Sequence, residues 1–339
     1  MADFGATGAT GEFAISGVPS DALALTSDIL RDVVTELVAE GVLPALPPQL
    51  HHFTSLETAC RIIDGDNVRL SHAEYSNDQT EMGQAKEIIR EELKGRSSDN
   101  FFAQVLSDYD KLEPTLDAYI FCMSTGNSGG GPPQDILSQW RAYGQDGRGA
   151  CLTLDASKLA RLVWNTPSLR INPVIYEKAK QVKFVGHILD HGQMKHTNNA
   201  PKALEATVAA LVFATPLMKA PGFEEEREWR LIFMPPLDVD VPQPTLGFQA
   251  RRDFLAPYID LTYLWQVLRL DMIAIPALHA TLPAPLPAVS LPLVPITEVM
   301  IGPSGHQSLN VRAFTKLLIQ TNRRTVTIPQ SRIPYRSLS

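Results

Sequence analysis

An acidic run that leads straight into an apolar stretch constrains this chain more than any other feature of its sequence. Residues 223–230 read FEEEREWR, and residues 231–234 read LIFM. The apolar stretch predicts a buried strand. Residues two apart in a strand point to the same face, so an extended chain would bring Glu226 and Glu228 together with Arg230 beside them. The run therefore predicts a catalytic carboxylate pair. The ordinary alternative is a solvated acidic turn before a buried strand.

Composition restricts the class of protein. A chain of 339 residues with 44% hydrophobic and 20% charged residues can bury a full core, which indicates a globular protein. The formal net charge of -7 argues against a surface that coats nucleic acid. No secretory signal or membrane-spanning run is visible, so we expect a cytoplasmic protein without a membrane partner. Three cysteines without metal-ligand spacing are predicted to be buried thiols: Cys60, Cys122 and Cys151.

The chain is predicted to contain three segments. Residues 1–19 are rich in small residues and are predicted to form a mobile arm. Residues 20–48 predict an amphipathic helix followed by a stiff proline-rich linker. The apolar stripe of this helix, over residues 20–41, needs a docking surface, so it is a candidate site for a partner or a second copy. Residues 49–339 are predicted to form one domain with a proline-rich surface insertion at 279–295.

From residue 49 onward, strands and helices alternate without a repeated unit. A strand at 50–54 runs into a helix that ends at Gly65, and the apolar strand at 118–124 runs into a glycine-rich loop at 125–133. This mixture predicts an α+β fold rather than a doubly wound one. Three histidines are predicted to be solvated in a polar loop: His187, His191 and His196.

His52 and Thr54 lie on one face of the first predicted strand, directly before a helix. An imidazole can bond to a ribose hydroxyl, and the amino end of a helix favours a pyrophosphate. These two residues therefore predict part of a nucleotide site. The alternative is that Thr54 only caps the helix and His52 is a satisfied, half-buried residue.

Other polar residues are weaker candidates. Asn77, with Asp78 and Glu81, places an amide and two carboxylates within one turn, which suits a ribose, a cation or an ordinary helix cap. Ser124 ends a strand, where it can position a cofactor or a turn. Tyr143 lies on a predicted short helix as a stacking platform or a core residue.

Eight short motifs, taken in order, resemble a bacterial family known as domain of unknown function family 2971. They cover roughly residues 50 to 335. The motifs are HFTS at 52–55, N-D-x-x-E at 77–81, C-x-S at 122–124, W-x-x-Y at 140–143, G-x-x-L-x-L-D at 149–155, V-x-Y at 174–176, F-x-x-E-x-E-W-R at 223–230 and E-V-x-I-G-P at 298–303.

The opening of this pattern, H-x-T on a strand that runs into a helix, with a later carboxylate on another strand, is similar to ADP-ribosyltransferases. These enzymes bind NAD in a split β-sheet, so the resemblance implies a central split, mainly antiparallel sheet with surrounding helices. It also implies NAD as substrate, with His52 and Thr54 holding the ribose. Ser124 would support the strand edge, Tyr143 would stack on nicotinamide, and Glu228 would be the catalytic carboxylate.

This chemistry explains the residue types. Cleavage of the nicotinamide bond passes through an oxocarbenium-like state, which a carboxylate stabilises. Glu228 would take that role, and Glu226 would orient or deprotonate the acceptor. Asn77 and Arg230 complete the predicted cofactor site, although an ion pair between Arg230 and Glu228 would make Glu228 a weaker base.

The sequence thus predicts an NAD-dependent ADP-ribosyltransferase or NAD glycohydrolase that acts on a protein or nucleic-acid acceptor, as a toxin or phage-defence effector. Two other classes stay open. One is a non-enzymatic sensor or interaction domain in which these elements are only structural. The other is a metal-dependent nuclease that uses Asp78, Glu81, Glu226 and Glu228, which the acidic net charge makes less attractive.

Overall fold

A computed structural model describes residues 20–75, 81–113, 117–126, 134–164, 168–235, 245–250, 253–262 with 264, and 294–334. Several predictions lie outside these residues: the arm at 1–19, the candidates Asn77 and Asp78, most of the glycine-rich loop, and nearly all of the insertion at 279–295.

Strands and helices alternate along the described residues. The strands are β1 (Gln49–Thr54), β2 (Arg69–His72), β3 (Tyr119–Ser124), β4 (Ala150–Asp155), β5 (Leu169–Pro173), β6 (Glu228–Phe233), β7 (Gly247–Ala250), β8 (Leu255–Asp260) and β9 (Ile296–Ile301). The helices are α1 (Ser20–Ala39), α2 (Leu56–Gly65), α3 (Glu81–Arg96), α4 (Asn100–Leu112), α5 (Leu137–Ala142), α6 (Ala156–Trp164), α7 (Lys178–Thr197), α8 (Ala203–Ala214) and α9 (Gln307–Gln320).

The strands form one antiparallel sheet that divides at β3. One edge of β3 pairs with β6 over the full length of β3, and β6 pairs in turn with β5. The opposite edge is shared. β2 pairs with the beginning of β3, through Ser71–Ile120 and His72–Tyr119. β1 pairs with the end of β3, through His51–Ser124. One arm of the sheet therefore runs β1-β4-β9 and the other runs β2-β8-β7. The predicted mixture of helices with an antiparallel sheet is confirmed.

Helices cover both faces of the sheet. On one face, α1, α3, α4, α7 and α8 pack against a core that includes Ile120 and Ile232. The central helix of this layer is α8, in which residues 206–214 are all buried. On the other face, α2, α6 and α9 pack against a core that includes Leu152 and Leu231. Within the described ranges, no helix combines the length and apolar character needed to cross a membrane.

The predicted amphipathic helix is α1, and the chain itself covers its apolar stripe. α1 packs on α8 and α7, and Ile29, Val33 and Leu37 are fully buried. Thr26 Oγ1 also donates a hydrogen bond of 3.2 Å to the carbonyl of Ala206 on α8. This corrects the prediction that the stripe over residues 20–41 is a surface for a partner or a second copy.

The three histidines predicted to be solvated in a polar loop lie on helix α7, so the prediction of a loop was wrong, although His196 is exposed. His187 Nδ1 and His191 Nε2 approach Glu36 Oε2 on α1 at 3.3 and 2.9 Å. The ring of His196 stacks on Phe101, with ring centres 4.8 Å apart. Many polar residues of α7 contact neighbouring helices. The sequence of α7 therefore lacks the clear apolar stripe that usually indicates a helix.

The three cysteines differ in burial, which corrects part of the prediction. Cys151 is buried and Cys122 is half-buried, but Cys60 is exposed. Cys60 lies on the outer side of α2, whose inner side buries Ala59, Ile62 and Ile63.

The burial of α1 leads to a stability prediction. Replacing Ile29, which is fully buried, with alanine removes apolar contacts and leaves a cavity. We expect Ile29→Ala to lower the free energy of unfolding by about 2–5 kcal/mol, measured by urea denaturation. Thr35→Ala, at an exposed position of the same helix, is the control and should change it by less than about 0.5 kcal/mol. Equal stability of the two variants would contradict the packing of α1.

Candidate functional site

His52 fills the gap where the arms of the sheet separate. Its Nδ1 lies 2.8 Å from the carbonyl oxygen of Cys122 on β3. A carbonyl only accepts hydrogen bonds, so Nδ1 is the donor and Nε2 is left as the acceptor nitrogen. The ring also packs on Phe121, with ring centres 4.3 Å apart. Burial lowers the pKa of His52 to about 4, so the ring is neutral at pH 7.

A cleft of about 970 Å³ opens at this division of the sheet. Its volume is near the upper end of the range for ligand pockets, roughly 300–1,000 Å³. Both arms of the sheet, helix α2 and residues of the 219–230 segment line it. The structure thus brings most of the predicted site residues to one cleft: His52, Thr54, Ser124, Tyr143, Glu226, Glu228 and Arg230.

These residues do not all reach the cleft from the same face of the sheet. Ser124 pairs with His51 on one side and with Glu228 on the other. Directly paired residues share a face, so His51 is the histidine on the face of Glu228. His52 and Thr54 alternate with it along β1 and enter from the opposite face.

Glu226 and Glu228 converge, although not as neighbours in a strand. Strand β6 begins at Glu228, whereas Glu226 ends a 3-10 helix, Pro221–Glu226. Arg227 between them has a φ of 44°, in the left-handed region, which turns the chain. The prediction that Glu226 is extended was therefore wrong. A buried lysine joins the two carboxylates, since Lys219 Nζ lies 2.6 Å from Glu226 Oε2 and 3.3 Å from Glu228 Oε2.

Arg230 binds Glu228 through two nitrogens. Its Nε lies 2.7 Å from Glu228 Oε1, and its Nη2 lies 3.0 Å from Oε2. Burial by itself would raise the pKa of Glu228, but Arg230 and Lys219 outweigh it and lower this pKa to about 2. Glu228 is therefore ionised at neutral pH and is a poor proton acceptor. The spacing in the sequence had already indicated that an ion pair with Arg230 would make Glu228 a weaker base.

Two hydroxyl groups fix the position of Glu226. Tyr143 donates a hydrogen bond of 2.7 Å to Glu226 Oε1, and Ser124 Oγ donates one of 2.8 Å to the backbone carbonyl of Glu226. Burial, followed by the contact with Glu226, raises the pKa of Tyr143, so this hydroxyl stays protonated. Ser124 thus holds the turn before β6, and the hydroxyl of Tyr143 is directed at a carboxylate.

Lys219 and Tyr176 belong to the site, and sequence reasoning missed both. Lys219 is only 7% exposed, and Tyr176 accepts the backbone N–H of Glu228 at 2.9 Å. The V-x-Y motif contained Tyr176 without assigning it a role. Lys219 follows a buried run, 215–218, and a lysine there needs an acidic partner because lysines are rarely buried unpaired. That signal was available in the sequence, but it does not name the partner.

A metal site is absent from the described part of the chain. No group of three or more His, Cys, Asp or Glu side chains in those ranges is arranged to hold a metal ion. Asp78, one of the four carboxylates of the nuclease alternative, lies outside the described residues.

A comparison with protein-family models finds a match over part of the chain. A family model described as a protein of unknown function, DUF2971, matches residues 139–231. The matched segment contains Tyr143, Lys219, Glu226, Glu228 and Arg230, and it supports the resemblance to this family of unknown function over that part of the chain. No curated protein and no solved structure matches the chain.

The ion pair of Glu228 predicts a specific response to acid. Its pKa falls from 4.5 to about 2 on folding. At about 1.4 kcal/mol per unit, it stabilises the fold by about 3 kcal/mol above pH 4.5, and this contribution is lost as the pH falls toward 2. Glu228→Gln removes the carboxylate that the buried Arg230 binds through two nitrogens and should cost about 3–5 kcal/mol near neutral pH.

Urea denaturation between pH 6 and pH 3 measures this difference. The stability gap between wild type and Glu228→Gln should narrow below pH 4.5. The matched control, Glu224→Gln, replaces an exposed glutamate on the neighbouring turn and should follow wild type throughout. A gap that stays constant with pH would contradict the low pKa of Glu228.

Proposed function

We propose that this chain cleaves the nicotinamide glycosidic bond of NAD, as an ADP-ribosyltransferase or an NAD glycohydrolase. The division of the antiparallel sheet supports this proposal most directly, because it opens a ligand-sized cleft with the carboxylates of Glu226 and Glu228 in its wall. Nucleotide binding in a split sheet is what the sequence resemblance implies.

Glu228 suits an electrostatic role in this reaction. A carboxylate has about four lone-pair sites, and at Glu228 these accept from Arg230, Lys219 and the thiol of Cys122. A ribose hydroxyl can replace the thiol, which is a weak donor, while the bonds to Arg230 and Lys219 are kept. Its negative charge then stabilises the positive charge that develops on the ribose as the nicotinamide leaves. This role requires the ionised form of Glu228, which its low pKa maintains.

Glu226 is the better placed of the two carboxylates to meet an acceptor. Its side chain is 18% exposed, compared with 7% for Glu228. It also has fewer cationic partners, since Lys219 is the cation bonded to it and the neutral Tyr143 donates its other bond. In a transferase, Glu226 would orient the acceptor group beside the ribose.

His52 and Thr54 would hold the nicotinamide ribose from the other side of the cleft. The neutral ring of His52 presents Nε2 as an acceptor for a ribose hydroxyl. The ring of Tyr143 lines the cleft and would stack on nicotinamide. The proposal also includes Asn77 among the residues that bind NAD, as the sequence predicts.

One observation favours a rival function, a binding domain without catalysis. The charges of Lys219 and Arg230 match those of Glu226 and Glu228, so the network is complete without a ligand. A network of this kind can serve only to specify the fold. The rival is tested by the same experiment as the proposal.

Nicotinamide release from NAD by the purified chain tests the proposal. We expect release by wild type and a loss of about 10²–10³-fold in Glu228→Gln, because one transition-state contact is removed. Glu228→Gln/Arg230→Gln removes both charges of the buried pair and serves as a second inactive variant, in which no arginine has lost its carboxylate. Circular dichroism establishes that each variant is folded. Glu224→Gln should release nicotinamide at the wild-type rate.

Addition of cell lysate separates transfer from hydrolysis, since a transferase releases more nicotinamide when an acceptor is present. Wild type that releases none in either condition, and whose melting temperature does not respond to NAD, would support the binding-domain function instead.

A chelator tests whether a metal takes part in the reaction, as the nuclease alternative requires. NAD cleavage by carboxylates alone does not require a metal, so EDTA should leave the rate of nicotinamide release unchanged within error. Loss of release on chelation, and its recovery with added Mg²⁺, would show that a metal takes part.

A further inference from the structure

A second polar cluster lines the same cleft on the β2-β8 arm of the sheet. It consists of Asn67, Arg69, Asp260 and Thr262. The amide of Asn67 joins the cluster, because its Nδ2 donates to Asp260 Oδ1 at 2.6 Å and its Oδ1 accepts the backbone N–H of Thr262 at 3.0 Å. These contacts fix Asp260 before any ligand binds.

Arg69 stacks on an aromatic ring and forms a long ion pair with Asp260. The carbon of its guanidinium lies 4.2 Å from the centre of the Tyr258 ring. Its Nε is 3.7 Å from Asp260 Oδ1, which is too long for a hydrogen bond. A guanidinium that is oriented on an aromatic ring, and whose ion pair is too long for a hydrogen bond, suits two-pronged recognition of phosphate.

Arg69 and Glu228 point to the same face of the sheet. Arg69 and Ser71 are two apart in β2, and Ser71 pairs with Ile120 on β3. Ile120 and Ser124 share a face of β3, and Ser124 pairs with Glu228. One ligand that lies along this face can therefore contact both the carboxylate network and the second cluster.

The charge in this part of the cleft is balanced. Arg61 of α2 also lines the cleft and donates to Thr58 Oγ1 at 3.0 Å. Two carboxylates, Asp64 and Asp260, line the cleft as well. A purely anionic ligand would meet both attraction and repulsion here. A ligand with phosphates for the arginines and hydroxyl groups for the carboxylates fits better.

We infer that the second cluster binds the adenosine diphosphate half of the dinucleotide, with Arg69 on the diphosphate and Asp260 on ribose hydroxyls. This inference rests on the proposed function for the other end of the ligand, where the nicotinamide ribose lies beside Glu228. It gives the substrate a direction in the cleft, with the nicotinamide end at Glu228 and the adenosine end at Arg69.

ADP tests this site without any cleavage reaction. Isothermal titration calorimetry with ADP should detect binding to wild type. Arg69→Gln should weaken it about 10–100-fold, and Asp260→Asn should weaken it less. Arg69→Lys keeps the charge but loses the fork of donors, so it should fall between wild type and Arg69→Gln. The control Arg161→Gln removes an exposed arginine of α6 and should bind ADP like wild type.

The outcomes separate this inference from the proposed function. ADP that does not bind wild type, or that binds Arg69→Gln equally well, overturns the inference. Binding that depends on Arg69, without nicotinamide release from NAD, supports this site and rejects the cleavage reaction. Nicotinamide release with the same KM for NAD in wild type and Arg69→Gln supports cleavage and rejects this site.

Discussion

Two strands share one edge of β3, and the rest of the site depends on that arrangement. β6 occupies the other edge over its full length, so β1 and β2 must use opposite ends of the same edge. Neither can continue its ladder without displacing the other, and the sheet divides between them. An open backbone edge inside a protein needs a hydrogen-bond partner. His52 supplies one to Cys122, and the cleft forms beside it.

The charged network depends on the same division of the sheet. Glu228 and Arg230 lie on β6 beside Ser124 and Cys122, so their charges are buried where the cleft begins. Burying one of them alone would cost several kcal/mol, which the two-pronged ion pair offsets. Lys219 extends the network to Glu226, and Glu226 accepts from Tyr143. These ion pairs fix the turn before β6. The hydrogen bond from Tyr143 joins that turn to the end of α5.

The sequence allowed prediction of the local elements but not of the contacts between them. Apolar periodicity located the strands at β1, β3 and β6 and the helix α1. It could not show that α8 covers the stripe of α1, or that the polar face of α7 lies against other helices. Glu226 and Glu228 were predicted to meet because of strand spacing. They meet instead through Lys219, whose partners lie seven and nine residues away and were invisible in any local pattern.

The bonding of the carboxylates limits what chemistry they can perform. Glu228 has a pKa of about 2 and accepts from Arg230 through both oxygens, so it stabilises charge better than it removes a proton. His52 is neutral and uses Nδ1 to close the sheet edge. A proton acceptor for the incoming nucleophile would then have to be Glu226. Each of its oxygens keeps a second acceptor site beside its bond to Tyr143 or Lys219, so Glu226 can take the proton of an incoming hydroxyl without breaking either bond. In this arrangement Glu228 would stabilise the charge on the ribose while Glu226 activates the nucleophile.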